Sequence, residues 1–183
     1  MSAEHGATKR LFLAFWPTKS EQERFNELAH APHRPTDNWR LLAAHKLHLT
    51  LSFLGSVDAE TERCVCGMAE ALAWQPIEVQ FNRLGWFARP KVLWAGCSDV
   101  PAELKDLAAT IQAGVTRCGI ESELHPFRPH ITLARKVAQA PAQTEIETLN
   151  CRFDELCLVQ SRSGDNGVSY STLKKWPARV AIP

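Results

Sequence analysis

One short pattern stands at two distant places in the chain: His48-Leu49-Thr50-Leu51 inside LHLTLSFLG, and His130-Ile131-Thr132-Leu133 inside RPHITLAR. Each string alternates polar and apolar residues, the mark of a strand with one buried face. Residues i and i+2 of a strand point the same way, so each copy sets an imidazole and a hydroxyl on one face and two aliphatic side chains on the other. Two such strands side by side would carry two imidazoles and two hydroxyls on a shared face. Histidine titrates near neutral pH, so one ring can act as base while the other, cationic, acts as acid. Mutual repulsion and a bound anion would push the two pKa values apart. Threonine hydroxyls can donate to nonbridging phosphoryl oxygens, and a strained cyclic phosphodiester needs no metal for such chemistry.

A lone HxT string usually means a core or surface histidine; two copies in matching contexts, 82 residues apart, make coincidence the weaker explanation. His5, His30, His33, His45 and His125 lack that context and read as surface or loop residues. Arg135 lies on the opposite strand parity to His130, but a twist or bulge at the strand end would swing it toward a phosphate in the cleft. Arg128, Arg89 and Lys91 are further candidates for phosphate contact, against the plainer reading of solvated charges. Trp39, Trp86, Phe87 and Phe127 fall near the expected cleft rim, where a base could stack. Trp94, flanked by Val92 and Leu93, reads as core. Neither a GxxxxGK[ST] loop nor a GxGxxG turn is present, so no triphosphate or dinucleotide site is expected. The cysteines at 64, 66, 97, 118, 151 and 157 make no CxxC pair, and Cys64-Val65-Cys66 is not a usual zinc spacing. They read as buried reduced thiols, and neither metal nor other cofactor is expected.

The elements that must position the motifs follow from pattern and punctuation. Arg10–Trp16 reads as a strand, and SEQERFNELAHA as a helix with Ser20 as N-cap and Glu23 completing a capping box. Asn38–Leu42 reads as a short strand or lead-in. Leu47–Leu54 is the first motif strand, closed by Gly55. A helix over Asp58–Trp74, a strand over Ile77–Phe81, a loop over Gly85–Pro90 and a strand over Lys91–Gly96 follow. Ala102–Cys118 is an amphipathic helix ended by Gly119 at the C′ position. Ile131–Lys136 is the second motif strand. A short helix after Pro141 and strands at Phe153–Gln160 and Ser169–Leu173, joined by SGDNG, complete the chain. The spacing of the motifs suggests an internal duplication. Without uninterrupted apolar strands behind a Gly-rich turn, a doubly wound sheet is disfavoured; antiparallel-rich sheets with outer helices are expected, an α+β fold.

With 183 residues, 45% of them hydrophobic, the chain suits one ordinary domain or two small lobes sharing a core. The formal charge is +1, so no global field draws it to duplex nucleic acid or an anionic membrane, and an anionic ligand needs a local cluster. LFLAFWP is too short for the roughly 20 residues of a membrane span, and no signal-peptide cleavage pattern follows it. A cytoplasmic protein without membrane association is expected.

The tandem HxTx pair, with FLG after the first copy and PFRPHITLAR around the second, closely resembles the two-histidine (2H) phosphoesterase superfamily. Within it the chain is similar to the bacterial RNA 2′,3′-cyclic phosphodiesterases, also called 2′-5′ RNA ligases. RLFLAFWP, RPKVLW and SYSTLKKWP extend the likeness over nearly the whole chain. The resemblance implies one bilobal domain over residues 1–183, with two pseudo-symmetric lobes each giving an HxTx strand to a central cleft. It implies His48 as proton donor, His130 as proton acceptor, and Thr50 and Thr132 as holders of the phosphate, with Arg135 beside them; Trp39, Phe127 and Arg128 are candidates for base or backbone contact. The implied reaction is hydrolysis of a terminal 2′,3′-cyclic phosphate on RNA, tRNA fragments included, to a 2′-phosphomonoester by a monomeric enzyme, with reversible 2′-5′ ligation as an associated activity. The alternatives are a phosphodiesterase for a small cyclic nucleotide or a 2′-5′ oligonucleotide, and a non-catalytic module that binds RNA ends. One departure from the family is Ser161–Gly167, SRSGDNG, which lacks the extra basic residues expected near an RNA backbone.

Overall fold

The computed structural model describes residues 8–30, 39–121, 126–142, 144–164 and 167–179. In chain order the elements are β1 (Lys9–Phe15), α1 (Lys19–His30), β2 (Arg40–Leu41), a 3-10 turn (Ala44–Lys46), β3 (Leu49–Val57), α2 (Ala59–Glu70), β4 (Ile77–Phe87), β5 (Val92–Gly96), α3 (Ala102–Arg117), β6 (His130–Arg135), β7 (Glu145–Phe153), β8 (Glu155–Gly164) and β9 (Gly167–Pro177). The strands form one antiparallel sheet in the order β7-β4-β5-β6-β3-β1-β8-β9, with β2 also paired to β6. At its centre β3 and β6 meet through a single pair, Leu49 and Ile131. The sheet is therefore two four-stranded halves, β6-β5-β4-β7 and β3-β1-β8-β9, each with an HxTx strand at its inner edge. This is the α+β, antiparallel arrangement expected from the sequence.

One face of the sheet is covered by helices and the other carries the motif side chains. Leu11, Leu13 and Phe15 of β1, Leu49 and Leu51 of β3, and Ile131 and Leu133 of β6 enter a common core with Phe25 of α1 and Ile111 of α3. α1 follows β1 in the chain but packs on β6 and β7, while α3 follows β5 and packs on β3, so each half is covered by a helix from the other. α3 closes as expected: Gly119 N donates to Thr116 O at 3.0 Å and Ile120 N to Val115 O at 3.1 Å, the paired bonds of a Schellman end.

Several expectations are corrected. The capping box of α1 is Thr18 with Glu21, two residues before Ser20 and Glu23: Thr18 N donates to Glu21 Oε2 at 2.7 Å, and Glu21 N to Thr18 Oγ1 at 3.3 Å. Gly55 does not end the first motif strand, which runs on to Val57; it sits at φ +72° where the pairing with β1 slips by one residue. α2 stops at Glu70 rather than Trp74. No helix follows Pro141 among the described residues; Glu145–Phe153 is an edge strand on β4. Most of SRSGDNG belongs to the paired ends of β8 and β9. Nor are all cysteines reduced: Cys64 of α2 is bonded to Cys118 at the end of α3, with Cα atoms 5.7 Å apart, while Cys66, Cys97, Cys151 and Cys157 are free. A separation of 54 residues leaves no local spacing to announce that pair; it comes from α2 packing against α3.

Gly85 was expected in a loop, yet it lies inside β4 directly opposite Trp94 of β5. A Cβ at Gly85 would run into the Trp94 indole, and one at Gly96 would stand 2.6 Å from the same ring. The two glycines make room for a large side chain lying across the open face of the sheet.

Candidate active site

His48 immediately precedes β3 and His130 opens β6, so the two motifs stand beside each other at the centre of the sheet. The strands are antiparallel, which sets His48 on the side of Thr132 and Thr50 on the side of His130. Both histidines are held in the same manner. His48 Nδ1 lies 2.7 Å from Lys46 O, and His130 Nδ1 lies 2.8 Å from Arg128 O, each the carbonyl two residues upstream. A carbonyl only accepts, so Nδ1 carries the hydrogen in both rings and Nε2 is left for proton transfer. The 3-10 turn at Ala44–Lys46 aims the first carbonyl. Arg128 was expected to contribute its side chain, which is exposed; its main chain supplies the second.

The rings rest on different beds. His48 stacks on Trp16 with centroids 4.9 Å apart, and also meets Phe12 at 4.9 Å and the edge of Tyr170 at 5.1 Å. Phe12, Ala14, Cys157 and Val159 form a small apolar cluster beneath it, separate from the main core. His130 meets Phe87 at 5.2 Å and Trp94 at 6.0 Å. Trp94 thus belongs to the site face, beside Thr132 with which it pairs, and not to the core as expected. Burial disfavours the imidazolium in both rings. It pushes His48 down to about 4, helped by the charges of His130 and Arg135 and opposed by the Lys46 carbonyl. His130 is also held below its ordinary value by burial, against the pull of the Arg128 carbonyl.

Thr50 pairs with Ala14 and Thr132 with Trp94; both are half-buried on the face of the histidines, and neither hydroxyl is engaged by another described residue. Arg135 reaches this face through a bulge: Trp94 pairs with Thr132 but Leu93 with Ala134, so the parity of β6 switches after Leu133. The twist at the strand end anticipated from the sequence is this slip.

Other candidates fall elsewhere. Trp39 and Phe127 pack against the main core, and neither ring meets a site histidine. Trp86 also packs there, its Nε1 donating to Val137 O at 3.0 Å. Arg89 and Lys91 are exposed. His30 and His45 are surface residues as expected, whereas His5, His33 and His125 lie outside the described residues. The rings the sequence reading missed are Phe12, Trp16 and Tyr170. Phe12 and Trp16 share one parity in LFLAFWP, a run so uniformly apolar that its second buried face could not be told from its first.

The model of the 2′-5′ RNA ligase superfamily matches residues 17–165. The chain is 32% identical over 148 residues to an RNA 2′,3′-cyclic phosphodiesterase of Escherichia coli, covering 80% of this chain and 84% of that protein. A Thermus thermophilus protein of the same name is 30% identical over 182 residues, covering 93% of this chain and 90% of its own length. Among solved structures, E. coli LigT complexed with 3′-AMP superposes with a TM-score of 0.86 at 28% identity, covering 93% of this chain and 98% of that one.

Proposed function

The chain belongs to the 2′-5′ RNA ligase superfamily, and from that premise we propose that it is an RNA 2′,3′-cyclic phosphodiesterase that opens the terminal cyclic phosphate to a 2′-phosphomonoester. The observation that carries the reading is the mirrored pair: two imidazoles on neighbouring strands, each fixed through Nδ1 to the carbonyl two residues before it. Such a pair can move a proton on either side of one phosphorus. His130 takes a proton from water through Nε2, and the hydroxide attacks phosphorus in line. The bond from phosphorus to the 3′ oxygen breaks, and His48 gives its proton to that oxygen. Thr50, Thr132 and Arg135 hold the nonbridging oxygens. With a 5′-hydroxyl in place of water as the nucleophile, the same steps make a 2′-5′ linkage, and their reversal cleaves it.

Both histidines come from one chain but from different halves of the sheet, which supports a monomer working as one bilobal unit over residues 1–183. RNA ends, tRNA fragments among them, are the proposed substrates, and the cytoplasm the proposed place of action. No described helix is long and apolar enough to cross a membrane.

The deciding assay uses an RNA oligonucleotide with a defined 2′,3′-cyclic phosphate end in excess EDTA, with the position of the product phosphate identified. Among the described residues no third His, Cys or carboxylate joins the two histidines, short of the three protein ligands usual for a catalytic zinc. Turnover to the 2′-phosphate should therefore survive chelation. Activity lost in EDTA and restored by a divalent ion would overturn the two-histidine scheme, and binding without turnover would make the protein a module for RNA ends.

The pH profile should carry the signature of burial. One histidine must be neutral while its partner is protonated, so kcat/KM follows a bell. In the free protein both pKa values lie below the ordinary 6.5, His48 at about 4, so the bell should peak on the acid side of 6.5. A bound phosphate anion favours imidazolium and raises both values. The kcat profile should therefore be displaced to higher pH than that of kcat/KM. A kcat/KM that climbs to an alkaline plateau would remove the cationic histidine from the mechanism.

A further inference from the structure

We propose that Arg40 and Lys46, flanking the Arg135 that holds the terminal phosphate, form a second anion subsite next to His48, which takes the phosphodiester on the 5′ side of the terminal nucleotide and so selects RNA ends over cyclic mononucleotides. The inference rests on the reading of the site as a cyclic phosphodiesterase and adds its substrate class. Its starting point is a like-charged pair. Arg40 of β2 and Arg135 of β6 are direct cross-strand partners, a placement in which like charges repel. Lys46 joins them around a cavity of about 280 Å³ whose wall includes Gly167, Val168 and Tyr170 and, among the described residues, no carboxylate. Neither arginine makes an ion pair with a described residue. Three cations gathered with no counter-charge among the described residues repel one another in the free protein and are favoured once an anion sits among them.

The pocket is built as well as charged. Lys46 Nζ donates to Val168 O at 2.8 Å, tying the end of the β8–β9 hairpin across the pocket. Gly167 sits at φ +96° and leaves room for the Arg40 guanidinium against the hairpin, since a Cβ there would stand 2.9 Å from Arg40 Nη2 and push that arm aside. The pocket also adjoins the reacting centre. The Lys46 carbonyl holds His48, the Tyr170 ring is 5.1 Å from it, and the Arg135 charge is felt by it. In the proposed reaction His48 protonates the departing 3′ oxygen, and the ribose bearing that oxygen carries the chain's next phosphate on its 5′ carbon. A cyclic mononucleotide with a 5′-hydroxyl has nothing to place there. The basic residues missing from SRSGDNG are thus supplied by β2, the 3-10 turn and β6.

The test compares adenosine 2′,3′-cyclic phosphate bearing a 5′-hydroxyl with the same compound bearing a 5′-phosphate. Hydrogen bonds to a charged group are worth about 10–150-fold. For the parent, kcat/KM should be higher for the 5′-phosphorylated compound by about that factor, and the preference should shrink as salt is added. Arg40→Gln, with its melting temperature as folding control, should bring the ratio close to one. Lys46→Gln should lower it as a second, independent variant. Equal kcat/KM for the two compounds in the parent, or a preference untouched in both folded variants, would overturn the subsite and leave the phosphodiesterase reading standing. Turnover of neither compound by the parent is the distinct signature of that reading's failure, and the subsite falls with it.

Discussion

His48→Ala and His130→Ala should each lower kcat/KM by about 10²–10⁴-fold, the usual contribution of a positioned general acid or base. Both rings are half-buried on the open face of the sheet and outside the main core, so both variants should fold, which a thermal melt checks. The residual activity then separates the roles. Without His130 only a protonated His48 is required, so the acid limb of the pH profile disappears and activity falls as pH rises. Without His48 only a neutral His130 is required, so the alkaline limb disappears and activity climbs to a plateau. The opposite assignment of limbs would exchange donor and acceptor. Near-normal turnover in either folded variant would remove that histidine from the chemistry.

The assignment of His48 as donor looks at first at odds with its setting. A ring pushed down to about 4 is almost wholly neutral at pH 7 in the free protein, and a neutral ring has no proton on Nε2 to give. The conflict resolves through the substrate. Burial on Trp16, Phe12 and Tyr170 makes the imidazolium costly, and a phosphate anion supplies the compensating charge only when it is bound. It also offsets the repulsion from Arg135. An acid loaded in this way is strong, and it is charged chiefly when there is a leaving group to protonate.

The sequence made these two histidines legible because a strand reports its faces at period two, and because the pattern was written twice. The antiparallel α+β order and the Gly119 helix end were legible for similar reasons: each is decided within a few residues. What stayed hidden was decided by partners far along the chain. Thr18 and Ser20 both satisfy the capping pattern, with Glu21 and Glu23, and local sequence alone does not choose between them. Gly85 reads as a loop residue until the Trp94 indole is laid over it, and Trp94 reads as core until two glycines are seen to clear the site face. The opposed Arg40 and Arg135 needed the register of β2 on β6, a pairing of two residues. Glu145–Phe153 is an edge strand whose alternation of buried and exposed side chains begins only at Leu149, its first four residues carrying no buried side chain, so the pattern marks half the strand and not its start.

Thr50→Val and Thr132→Val should each reduce kcat/KM by about 10–150-fold, the worth of one hydrogen bond to a charged group. Valine keeps the β-branched shape that suits a strand and removes only the donor, so the pairings with Ala14 and Trp94 should persist. The loss should also divide differently from that of the histidines. A nonbridging oxygen carries negative charge in the bound substrate as well as in the transition state, so its donor is missed in both, and KM should rise while kcat falls moderately. Serine restores the hydroxyl and should recover much of the activity, most completely at position 50, whose partner on β1 is the small Ala14. At position 132 the methyl group stands beside Trp94, so serine should recover less. If both valine variants bind and turn over as the parent does, the hydroxyls do not meet the phosphate. Their freedom from every described partner would then have some other cause, and the shared face of imidazole and hydroxyl would not be where the phosphate lies.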